Sequence, residues 1–206
     1  MNDLGSIFIL SILIIIFFLY YESKYSQLTY VRSSVDNRQY LVRNREDKQK
    51  AADMLATIRK NLDTIVNTLT EKYKDKPRII RLKENYNPEK ISESIPNTDY
   101  TSYSVNKGEQ IVFCLRSKDK QEKLTDINTI MFVAIHELAH VMTKSIGHTD
   151  EFWANMKYLL QESIKLNIYD KSDYRTNPKK YCGTEITDSP LFDDATSDED
   201  LNEDDD

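Results

Sequence analysis

Residues 131–148 read MFVAIHELAHVMTKSIGH, and the rest of the chain takes its meaning from them. His136 and His140 are four apart, so on a helix they lie one turn apart on one face and can share a metal ion. Ile127, Met131, Ala134, Ile135, Leu138, Val141 and Met142 spread around the opposite side. The pattern predicts a helix starting near Thr125 or Asp126, buried along its back and showing two imidazoles to a cleft. Val133 and Ala139 flank the imidazole face and are expected to line that cleft. Glu137 stands beside the metal position rather than on it, where a carboxylate can take a proton from an activated water.

A catalytic zinc ion needs three protein ligands and one open position. His148 follows His140 after seven residues, with Gly147 supplying a helix-ending turn just before it. An H-E-x-x-H match can arise by chance in an amphipathic helix, but all three His of the chain fall within thirteen positions. The expectation is therefore a Zn2+ site of His136, His140 and His148, with Glu137 as general base. Two alternatives for the third ligand are Glu151 and Glu162, in the helix that follows. Cys182, in YCGT, is a candidate fourth ligand that would close the site into a structural one. Cys114 is expected to pack within its strand. Tyr169, Tyr174 and Tyr181 are candidates to stabilise an oxyanion.

Working outward, apolar residues at Ala51, Leu55, Ile58, Leu62, Ile65, Leu69 and Tyr73 predict a core-packing helix over 46–73. Pro77, Pro88 and Pro96 predict short extended pieces and loops after it. From Lys72 to Lys83 six basic residues stand against one acidic residue, a run read first as a solvated face. Contact of that run with anionic headgroups or nucleic acid is the secondary reading. TSYSVNKGEQIVFCLRS, 101–117, reads as two β-rich runs around Asn106-Lys107-Gly108, a hairpin whose second strand covers Ile111–Arg116. A further helix is expected from about Asp150 to Leu166.

HELAH at 136–140, then Gly147-His148 and Glu151-Phe152, resembles the H-E-x-x-H followed by H-x-x-E-F of the SprT-like and WLM-type zinc metalloproteases. The resemblance covers roughly residues 100–166. It implies a small α+β zincin-like metalloprotease domain, with an active-site helix and supporting helices packed on a short β-sheet. It also implies zinc ligation by His136, His140 and His148, with Glu137 as general base and acid. Phe152 would then be core of the supporting helix, and the Ile111–Arg116 strand the edge that pairs with substrate backbone. SprT-like proteases of the DNA-repair kind carry DNA-binding elements. This chain shows no DNA module and no Cys-rich zinc ribbon, so the implied substrate is a protein or peptide.

The two ends differ sharply from the middle. Leu4–Tyr21, LGSIFILSILIIIFFLYY, carries no charge, and eighteen helical residues span about 27 Å, enough for a bilayer core. A cleaved signal peptide calls for a basic start and a small-residue cleavage site; MND and YESKYSQ supply neither. Lys24, Arg32, Arg38, Arg43 and Arg45 follow the apolar run and no Lys or Arg precedes it, which places the body in the cytosol by the positive-inside rule. The absence of N-x-[ST] acceptors and a count of two Cys, too few for a disulfide framework, agree with that side.

At the other end, residues 188–206 hold ten of the 34 Asp and Glu, leaving 24 against 28 Lys and Arg in the remainder. The net charge of −6 therefore belongs to the tail and not to the body. The expected division is a transmembrane anchor over 1–21, a juxtamembrane linker over 22–45, a zinc metallopeptidase domain over 46–187 and a disordered acidic tail over 188–206. The leading expectation is a membrane-anchored zinc endopeptidase whose partners are a protein or peptide substrate and, through the anchor, lipid. Two rivals are a gluzincin-like peptidase with a Glu ligand and a non-catalytic, zinc-stabilised interaction module.

Overall fold

The computed structural model describes residues 3–25, 27–96 and 101–193. Helix α1 (Asp3–Tyr25) carries the apolar run, and none of the stretch Gly5–Glu22 is buried against the rest of the chain. It is not a core helix, and it is long and apolar enough to cross a membrane.

A five-stranded mixed sheet follows in the order β1-β2-β3-β5-β4. Strands β1 (Leu28–Arg32) and β2 (Gln39–Arg43) form an antiparallel hairpin, with Tyr30 opposite Leu41. They occupy the stretch expected to be a linker, so residues 28–43 belong to the folded body. Their short alternation of polar and apolar residues sits among so many charges that the periodicity is faint. The hairpin is fixed to the next helix by Asp53, whose Oδ1 accepts from Ser33 Oγ and Ser34 N, both at 2.7 Å. β2 runs parallel to β3 (Ile91–Glu93), and β3 parallel to β5 (Gln110–Phe113). β4 (Tyr103–Val105) pairs antiparallel with β5 and forms one edge of the sheet, β1 forming the other. The strand expected at the edge, Ile111–Arg116, is instead interior: β5 is flanked on both sides, and Arg116 only bridges to Leu124.

Helix α2 (Lys48–Lys72) packs its apolar face, from Ala51 through Leu69, on the sheet, as its periodicity predicts. Helix α3 (Pro77–Asn85) lies where loops were expected. Pro77 starts that helix rather than breaking it, because the first helical position needs no backbone N–H. Ile79 and Leu82 are buried, so one face of the basic run is core. Helices α4 (Ile127–Met142) and α5 (Asp150–Lys165) complete the helical layer, close to their expected limits. Asp126 caps α4 by accepting from Thr129 N at 2.9 Å, and Thr149 accepts from Phe152 N at the start of α5.

Beyond α5, β6 (Lys179–Tyr181) and β7 (Thr184–Ile186) form a separate two-stranded hairpin. Cys182 in its turn is disulfide-bonded to Cys114 at the end of β5. The bond corrects the reading of Cys182 as a candidate ligand and gives Cys114, expected only to pack within its strand, a covalent partner: they are 68 residues apart, and only the fold brings their Cα atoms to 6.0 Å. Part of the acidic tail is structured, with a single 3₁₀ turn (Pro190–Phe192) against α5 and Arg175 pairing with Asp188 and Asp193. Expected disorder beyond residue 193 lies outside the described residues.

Candidate metal centre

Between residues 129 and 142 every side chain of α4 is buried except His136 and His140, which are half-buried. Beyond its first two residues, solvation on this helix is thus confined to the two imidazoles. His148 arrives from the loop after α4, and the three ring centroids form a triangle with sides of 4.9 Å. His136 Nε2 and His148 Nε2 are 3.1 Å apart, and one ligand atom from each ring lies within 4.8 Å of the others. Tetrahedral zinc with bonds of about 2.0–2.1 Å spaces its nitrogens by roughly 3.3 Å, so the donors fit. Burial, then the neighbouring His140 and His148, push His136 down to about 3; burial, then His148 and Lys107, push His140 down to about 4. Both rings are therefore neutral at physiological pH, the form that ligates. Phe152 is fully buried on α5 and forms the floor, its ring 4.9, 4.3 and 4.6 Å from His136, His140 and His148.

No fourth His, Cys, Asp or Glu joins the triad among the described residues. Cys182 is consumed by its disulfide and cannot ligate. Glu151 faces the loop, accepting from Lys144 N at 2.7 Å, Ser145 N at 2.9 Å and Ser145 Oγ at 2.7 Å. Glu162 pairs with Lys165 and Lys72. Both alternative ligands are thus engaged elsewhere.

Glu137 is buried beside the triad, and burial raises its carboxyl to about 7 against the opposing hydrogen bonds from Ser104 N and Oγ. Ser104 lies on the edge strand β4, so the carboxylate and the free strand edge share one wall of a cleft of about 620 Å³. That cleft also takes in Val133, all three His and the hairpin residues Tyr181, Thr184 and Ile186. Ala139, expected to line it, is fully buried instead. Of the three tyrosines, only Tyr181 faces the cleft; its hydroxyl is 2.5 Å from Ser102 Oγ. Tyr169 and Tyr174 lie buried against Phe132.

The loop 143–149 that carries His148 is heavily tied. Arg81 Nη1 donates to Met142 O at 2.7 Å, and Lys107 Nζ donates to the carbonyls of Thr143, Lys144 and Ser145. These donors satisfy carbonyls left open at the end of α4. Gly108 beside Lys107 is required: a Cβ there would lie 2.5 Å from Asn85 O and 2.9 Å from Val141. Arg81, Lys107, Ser104 and Ser102 were not singled out in the sequence as parts of a site, because nothing local distinguishes them. Arg81 and Lys107 do sit in or beside the motifs that were singled out.

A family model described as the WLM domain matches residues 34–205, so the chain belongs to the WLM domain family, a domain of metalloprotease type. Its relatives include Uncharacterized protein R325 of Acanthamoeba polyphaga mimivirus, 37% identical over 187 residues, which cover 89% of this chain and 94% of that one. Uncharacterized protein 136R of Invertebrate iridescent virus 6 is 37% identical over 84 residues, 39% of this chain and 44% of that protein. Among solved structures, Wss1 from Saccharomyces cerevisiae matches 59% of this chain and 83% of its own, at 17% identity and a TM-score of 0.44.

Proposed function

We propose that this chain is a membrane-anchored, zinc-dependent endopeptidase. The observation that carries the reading is the triad of His136, His140 and His148 with the buried Glu137 beside it, in a cleft walled by a free strand edge. A bound zinc ion would supply polarisation of the scissile carbonyl and acidification of a water. The chain's own groups do the rest. β4 lies at one end of the five-stranded sheet, where an extended peptide can add alongside it as a further strand. Glu137 accepts the proton of the attacking water on a carboxylate oxygen and passes it to the leaving amine nitrogen. Among the described residues the triad lacks the fourth protein ligand of a structural zinc site, which favours the enzyme over an interaction module.

Purified full-length chain in detergent should bind one zinc and cleave a peptide library. Glu137→Gln should keep the zinc and lose at least about a hundredfold in cleavage rate. Undiminished cleavage by that variant overturns the mechanism.

For the anchor, α1 supplies the length and apolarity. The basic flank favours a body on the cytosolic side, whereas the Cys114–Cys182 bond favours maturation where thiols are oxidised. Protease protection of the body in sealed membranes separates the two.

A further inference from the structure

The cleft has two unlike ends. Beside the C-terminal half of α4 it carries polar and charged groups, Asn106, Lys107 and Ser145, together with the exposed Ile146. Beside the N-terminal half it is lined by Phe132, Val133, Tyr181, Thr184 and Ile186, with no charged side chain. Three of those five belong to the β6–β7 hairpin, which pairs with no strand of the main sheet.

The hairpin is held to the sheet near its tip. Cys182 is bonded to Cys114, and Tyr181 OH meets Ser102 Oγ, which itself accepts from Cys114 N at 3.0 Å. The stem of Lys118 lies over Gly183. Ser102 and Cys114 flank β4 and β5, so this tether joins the hairpin directly to the strand edge above the triad. The turn itself gives no reason for a cysteine. Cys182 has φ +48° and Gly183 φ +81°, a two-residue turn whose first position favours Asn, Asp or Gly. A side chain seldom adopts that backbone, and the bond accounts for its presence.

We propose that the β6–β7 hairpin is the substrate-recognising wall of the cleft, set in place by the Cys114–Cys182 bond, where an apolar side chain of an extended peptide rests against Ile186. The inference rests on the peptidase reading and names the substrate class of that same site. Both sulfurs are buried, so the bond is formed once and kept rather than exchanged in use. Its formation removes two protons and two electrons from the two thiols and passes them to a disulfide oxidant, which leaves as two thiols. The reduced chain keeps its triad, because α4 and the 143–149 loop have ties of their own, but loses the fixed wall.

The test uses full-length, zinc-loaded chain in detergent with the Glu137→Gln substitution, so that binding is read without cleavage. Fluorescence anisotropy compares labelled alanine-based decapeptides with one central Leu, Asp or Lys. The Leu peptide should bind at least tenfold more tightly than the Asp peptide. Ile186→Asp should weaken the Leu peptide at least tenfold and strengthen the Lys peptide, a swap that a merely structural residue would not produce. Cys114→Ser with Cys182→Ser should weaken the Leu peptide at least tenfold while zinc remains at one per chain. Equal affinities across the peptides, no binding of any peptide, or indifference to Ile186→Asp overturns the proposal. Should the double Cys variant fold poorly, the Ile186→Asp swap decides alone. The predicted binding pattern together with no cleavage by chain retaining Glu137 would remove the hydrolysis reading and leave the wall standing.

Discussion

Two walls face each other across the cleft, and they are built on opposite plans. The 143–149 loop, with His148, is held by Arg81 from α3, Lys107 from the β4–β5 turn, Glu151 from α5 and its own Ser145–Thr149 hydroxyl pair. The β6–β7 hairpin is tied near its tip by one covalent bond and one hydroxyl pair, with Tyr181 and Cys182 packed into the core. The loop presents a candidate metal ligand, whose nitrogen tolerates little displacement if three donors are to meet one ion. Many modest polar ties give that precision, since losing one leaves the others in place. The hairpin presents contact surface, for which a single strong point of attachment suffices.

This contrast can be broken or sharpened by experiment. The largest effect is expected on the hairpin side. Removing the 68-residue cross-link with Cys114→Ala and Cys182→Ala should lower stability by about 4 kcal/mol on the chain-entropy estimate, read by denaturant unfolding. A loss below about 1 kcal/mol would mean that the hairpin has other support. On the loop side, Glu151→Gln removes the charge from hydrogen bonds that the loop shares among several donors. It should cost about 1–2 kcal/mol and leave zinc affinity within tenfold, measured by chelator competition. Complete loss of zinc there would show that the redundancy is illusory.

The smallest effect lies far from both walls, at Asp53. Partial burial works to raise its pKa, but hydrogen bonds from Ser33, Ser34 and Gln49 outweigh that and hold it below the ordinary 3.8. A carboxyl depressed in the folded state stabilises above its unfolded pKa and loses that contribution as pH falls through its folded value. The wild type should therefore be more stable than Asp53→Asn at neutral pH, and the two should converge as pH falls well below 3.8. A constant difference down to the lowest pH would assign the effect to packing.

Much of the helical layer was legible because each helix repeats one signal many times. The α2 face recurs from Ala51 to Leu69, and α4 is apolar along its length apart from Asn128, Thr129, Glu137 and the two imidazoles. The β4–β5 hairpin announced itself by Asn106-Lys107-Gly108, all of which adopt positive φ. β1 and β2 were hidden because five-residue strands set among Arg, Lys and Asp carry too few alternations to stand out. α3 was hidden by Pro77, which is equally at home in a loop and at the first position of a helix. Which strand forms the edge was not legible at all, since strand order depends on pairings between segments distant in the chain.

The sequence by itself determined the candidate ligand set: helical spacing places His136 and His140 on one face, and Gly147 lets the chain turn back to deliver His148. Those relations are local, spanning thirteen residues, and local backbone geometry suffices to state them. Only the tertiary structure decided what surrounds that chemistry. It put β4 rather than β5 at the edge, joined Cys114 to Cys182, and turned Arg81 and Lys107 from surface charges into caps for the loop. Each of those relations links residues from 20 to 68 apart whose types are ordinary in their own segments. Nothing in a stretch of chain records which distant stretch will be packed against it.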